Sequence, residues 1–122
     1  MRIIPGFDGR QAQIAFDAVD HGLPSSVAST VTFKSSVMFA QGMKSISIGV
    51  SNTQAGMVSI QRYVDSQGQS PVGAAIQGTL IAAVPLAIGT NDLTPFSSFQ
   101  ISILNSGLVS STLSGISIMG AL

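Results

Sequence analysis

Between Lys44 and Val64 the chain reads KSISIGVSNTQAGMVSIQRYV, two runs in which apolar and small polar residues alternate one by one. A period of two is the signature of a strand with one buried face, and it cannot give an α-helix a single apolar stripe. Ile46, Ile48 and Val50 define the first inward face. Val58, Ile60, Arg62 and Val64 define the second, with Met57, Ser59, Gln61 and Tyr63 on its reverse. The turn-forming stretch SNTQAG between them predicts a hairpin. Arg62 shares the face to be buried, so it is expected either to carry its head out to solvent at a strand end or to sit at a subunit interface.

The same period recurs along most of the chain. In STVTFKSSVMF, Val31, Phe33, Val37 and Phe39 fall on one side and Thr32, Lys34, Ser36 and Met38 on the other. Gly73 to Ile88 predicts two short strands, about 74–83 and 86–88, with Pro85 at an edge or bend because proline cannot donate to a central ladder. FSSFQISIL lines up Phe99, Ile101 and Ile103, and Asn105-Ser106-Gly107 after it predicts a three-residue hairpin loop. In the last run the phase shifts between Leu113 and Ile116, and Gly115 is the natural place for a β-bulge. Seven or eight short strands at roughly ten-residue spacing predict an all-β fold, an antiparallel β-sandwich of jelly-roll-like or immunoglobulin-like type. With neither Cys nor Trp in the chain, the antibody subtype gains no support.

Residues 1–28 differ in texture and are expected to form an N-terminal arm ahead of a sandwich domain over 29–122. This segment holds the sole His and half of the charges. Gln11 to Val19 is compatible with extended chain or with one short helix that Gly22 and Pro24 would end.

Charged residues are 8% of the 122, five positive and five negative, with no Glu, against roughly a quarter in an average soluble domain. The balance excludes a basic groove, and nucleic acid is not an expected partner. Mean hydropathy is +0.49, yet the best candidate span, Val72 to Gly89, contains Gln77, Thr79, Pro85 and three glycines and lacks flanking Lys or Arg, so no membrane span is expected. Pro5, Gly6 and Asp8 interrupt the start where a secretory leader would need an apolar stretch. Surfaces this poor in charge cost solubility. A subunit whose surface is covered by neighbours escapes that cost.

No catalytic constellation emerges, and no enzyme activity, cofactor or metal is expected. Asp17, Asp20 and His21 are the one group with metal-ligating side chains, and a third protein ligand cannot be identified, so a solvated or inter-subunit polar patch is the better account. Serine is abundant, but no GxSxG elbow accompanies it, and no phosphate-binding glycine motif is present. A sugar-stacking platform is nearly absent with one Tyr and no Trp.

The segment SISIGVSNTQAGMVSIQRYVDSQGQSPVG, the small-residue strand after it, PFSSFQISILNSG and the final STLSGISIM resemble the small all-β virion structural proteins of tailed bacteriophages, of the capsid decoration or cement type. The resemblance covers residues 29–122 and rests on Ser/Thr/Gly-rich strands with uncharged turns. It implies a protein on the outer surface of the capsid that binds the major capsid protein and its own copies as a dimer or trimer. The N-terminal segment would then clamp a neighbour through Ile3, Ile4, Phe7, Ile14 and Phe16, with Arg62 as a further interface candidate. The alternative is a tail- or fibre-associated β-sandwich adhesin that binds a host glycan or receptor.

Overall fold

The computed structural model describes residues 2–4, 13–16, 22–40, 43–90 and 95–121, the side chains of 2–4 and 13–15 apart. Among the described residues every regular element is a strand. In chain order they are β1 (Arg2–Ile4), β2 (Gln13–Phe16), β3 (Ser26–Val27), β4 (Thr32–Lys34), β5 (Met38–Phe39), β6 (Ser45–Asn52), β7 (Gly56–Tyr63), β8 (Ile76–Leu80), β9 (Leu86–Gly89), β10 (Ser98–Asn105) and β11 (Ser111–Ala121).

They form two antiparallel sheets. The larger runs β1-β2-β11-β6-β9, with β3 also on β11; the smaller runs β4-β10-β7-β8, with β5 also on β10. β2 and β3 are two pieces of one course along β11, and β4 and β5 two pieces of one course along β10. Counted so, and with β1 set apart as an added edge strand, eight courses are arranged four to a sheet, β2-β11-β6-β9 over β4-β10-β7-β8, the order of a double-sheet jelly roll. The sandwich predicted from the sequence is therefore the fold observed.

The core follows from the alternation. Ile46, Ile48 and Val50 of the larger sheet face Val58, Ile60, Phe99, Ile101 and Ile103 of the smaller, and all are buried. Each such side chain contributes roughly 1.5–3 kcal/mol when fully removed from water. The bulge lies where the phase shift put it. Ser114 pairs with Ser51 and Ser117 with Gly49, so Gly115 and Ile116 together oppose Val50. Gly115 takes the left-handed conformation (φ 62°) that a side chain would strain. Gly78 of β8 lets the open edges of the two sheets close, because a Cβ there would run into Ile88 of β9.

Several expectations are corrected. β6 and β7 are not a hairpin: β6 pairs with β11 and β9, β7 with β10 and β8, and SNTQAG arches from one sheet to the other. β10 and β11 are likewise joined by an arch. Alternation marks which side of a strand is buried and is silent on which sheet the next strand joins, so a hairpin and an arch look alike in sequence. The stretch 29–39 is not one strand. The backbone N–H of Ile101 donates to Ser35 Oγ (3.0 Å) while Ser35 N donates to the Ile101 carbonyl (2.8 Å), so a side chain replaces a backbone group in the ladder. The phase flips there, which buries Met38 and leaves Phe39 exposed. The short helix is not formed over residues 13–16, which are strand β2 paired with both β1 and β11. No described helix is long and apolar enough to cross a membrane, and 76–80 and 86–89 are strands.

Candidate functional site

The alternation of sheets sends four crossing loops to one end of the sandwich: β3–β4, β6–β7, β8–β9 and β10–β11. Backbone bonds tie them together. Asn105 N donates to the Val31 carbonyl (3.1 Å), Ser106 N to Ala55 (2.9 Å) and Ala83 N to Asn52 (2.7 Å). Ser29 Oγ donates to the Gly107 carbonyl at 2.7 Å.

Asn105 organises this end. Its buried side chain donates through Nδ2 to the carbonyls of Val27 (3.0 Å) and Val109 (2.9 Å) and accepts at Oδ1 from Gly107 N (2.8 Å). One amide thus fixes the start of β10–β11 and the end of β3, which is why an Asn at a turn start serves here without a hairpin.

These loops present apolar side chains to solvent. Among the described residues, five of the seven exposed large hydrophobic side chains lie in them: Val31, Ile81, Val84, Leu108 (93% exposed) and Val109. Thr30 and Ala83, the two non-glycine residues with positive φ (62° and 63°) among the described residues, immediately precede Val31 and Val84. No ionisable side chain occurs in 22–33, 51–56, 80–90 or 104–121, so all four loops are free of charge. The sequence hid this group because its members stand in turn-rich stretches such as SGLVSS and AAVPL, where an apolar residue reads as a strand end.

Of the candidate interface residues named from the sequence, Ile3, Ile4, Ile14 and Phe16 lie on the neighbouring strands β1 and β2, and Arg62 lies on β7 in the other sheet. Phe16 is buried in the core with its ring edge-on to Phe99, centroids 5.4 Å apart. It is a core residue and not an exposed anchor. Arg62 is also buried, its guanidinium 5.9 Å from the centre of the Phe96 ring, so its head does not reach out to solvent. Ile3, Ile4 and Ile14 lie in β1 and β2, paired through Ile3 and Ile14 and through Ile4 and Gln13. Phe7, Asp17, Asp20 and His21 fall outside the described residues, and among the described residues no three His, Cys, Asp or Glu side chains gather where a metal could bind.

At the opposite end, Asp65 holds the β7–β8 loop. Its carboxylate accepts from Gln67 N (3.1 Å), Gln69 N (3.0 Å) and Ser70 N (2.7 Å). Desolvation raises its pKa, and the backbone donors outweigh that and hold it below the usual carboxylate value. Tyr63, on the outer side of the smaller sheet, donates its hydroxyl to Gln100 Oε1 at 3.1 Å. An open cleft of about 320 Å³ lies on the outer side of the larger sheet beside the bulge, lined by Gly49, Ser51, Leu86, Ala87, Ser114 and Gly115 among others, with no acid or base in its wall.

No family model and no curated protein sequence matches the chain. Among solved structures it is similar to PirA, at 8% identity and a TM-score of 0.50, over 90% of this chain and 93% of that one. Two carbohydrate-binding modules are more distant. One is a family 11 module from Clostridium thermocellum in complex with a beta-1,3-1,4-mixed-linked tetrasaccharide (TM-score 0.36, 14% identity, 99% and 82% covered). The other is a CBM4 structure (TM-score 0.36, 10% identity, 99% and 92% covered). Identities this low bear on the fold alone.

Proposed function

We propose that this chain is a structural subunit of a large assembly, a virion protein that binds the major capsid protein and its own copies on the outer surface of a phage head. The observation that carries the reading is the poverty of charge on the exterior. Among the described side chains, Lys34 and Lys44 are the exposed ionic groups, Asp65 is half-exposed and Arg62 is buried. An exterior of this kind suits contacts made by area and shape, which salt does not screen.

The sequence texture supplies the virion context, and the jelly roll is compatible with it without selecting it, since the same topology serves capsid proteins and lectins. The adhesin reading has less behind it. The sole Tyr is engaged with Gln100 and there is no Trp to stack on a sugar. A subunit that binds only the assembled shell stabilises the assembled state by mass action.

The test is binding of the purified chain to particles from its native source that have been stripped of it. The reading expects saturable binding that persists in molar salt and raises the temperature at which the particles come apart. No binding, or binding abolished by salt, contradicts it.

A further inference from the structure

We infer that the charge-free loop end is the surface through which two copies of this chain meet. The inference deepens the assembly reading and rests on it for the context in which self-association matters. Val31, Ile81, Val84, Leu108 and Val109 present an apolar group on the order of 500 Å², near the upper limit found on monomers. With a rim of exposed Thr30, Thr53, Ser106 and Ser110, the end approaches the roughly 800 Å² per partner of a standard interface.

The absence of charge indicates which partner fits. In a two-fold contact the same patch supplies both sides, so a residue near the axis meets its own copy. A lysine or aspartate there would face a like charge, and a different partner could have offered a complementary one. All four loops lack any ionisable residue although Lys34 and Asp65 stand exposed or half-exposed elsewhere on the same domain. Apolar tips that meet themselves need only shape to match. The geometry is also held firmly: Asn105 and Ser29 fix the β10–β11 loop, and the left-handed residues Thr30 and Ala83 set the backbone just before Val31 and Val84. A patch fixed before contact loses less freedom on association.

Sedimentation equilibrium of the full chain tests this over a range of concentrations, at low and molar salt. The wild type is expected to self-associate with a midpoint that salt leaves in place. The double variant Ile81→Asp/Leu108→Asp, whose parent side chains are exposed, is expected to keep its circular-dichroism spectrum while the midpoint moves up by about a hundredfold or more. Phe39→Ser, at an exposed position away from these loops, is expected to change nothing. A wild type that stays monomeric throughout overturns the inference. So does an oligomer indifferent to the double variant but lost in Phe39→Ser, or a wild type that floats with phosphatidylcholine vesicles in place of pairing. Particle binding without self-association sinks this inference alone; self-association without particle binding sinks the assembly reading alone.

Discussion

The ring of Phe16 meets the ring of Phe99 edge-on, with centroids 5.4 Å apart and planes at 86°. Phe16 ends β2 and Phe99 lies in the middle of the smaller sheet, so the contact ties the N-terminal segment into the core between the sheets. Edge-to-face pairs add to the stabilisation that burial alone gives. Phe16→Ala is therefore expected to lower unfolding stability by about 3 kcal/mol or more, read as the midpoint of urea denaturation. A loss within about 0.5 kcal/mol, the range of surface substitutions, would mean that the segment is dispensable to the sandwich.

Asn52 and Asn105 are both buried amides at the loop end, but their surroundings differ. Asn105 has three backbone partners, whereas neither polar atom of the Asn52 side chain meets a hydrogen-bond partner among the described residues. Asn52→Leu is expected to be neutral or to stabilise by about 1 kcal/mol, and Asn105→Ala to destabilise by about 2 kcal/mol, because only the second leaves former partners unmet. Denaturant midpoints of the two variants in the reverse order would contradict this assignment.

Thr30 holds a β-branched side chain in left-handed backbone, at a cost of roughly 1–2 kcal/mol. Its hydroxyl bond to the Ser29 carbonyl is exposed and contributes little. Thr30→Gly is expected to raise the thermal midpoint despite the greater chain entropy of glycine, and to weaken self-association by loosening Val31. A lower midpoint would show that the native loop is not strained there.

The Asp65 loop gives a pH dependence with a definite sign. The folded pKa lies below that of the unfolded chain, which is near 3.9. Its contribution is complete above the unfolded value and fades as pH falls through the folded one. Stability at pH 7 minus stability at pH 3 is thus expected to be smaller in Asp65→Asn than in the wild type. Equal differences would place the acid sensitivity elsewhere.

Much of the fold was legible because strand period and burial are the same information. Ile46, Ile48, Val50, Phe99, Ile101 and Ile103 announce their inward faces, and Gly115 announces its bulge. Sheet membership was not legible, since nothing local in SNTQAG distinguishes an arch from a hairpin. Ser35 was not legible either: a serine side chain that replaces a carbonyl in the ladder reverses the phase of Met38 and Phe39 with no warning in composition. Phe16 looked like an arm residue because it stands in the segment that carries half of the charges and the sole His, and its burial depends on the distant Phe99. The apolar loop end became visible only when the jelly-roll order gathered four short loops from across the chain.

The central claim, that this charge-poor exterior is covered by neighbours in a shell, is tested most directly by counting copies. Native source material would be sedimented and this chain quantified against the most abundant protein of the same fraction. The account predicts a fast-sedimenting particle in which the two stand in a fixed ratio of the same order. A slow, free chain, or a few copies per particle, would contradict it.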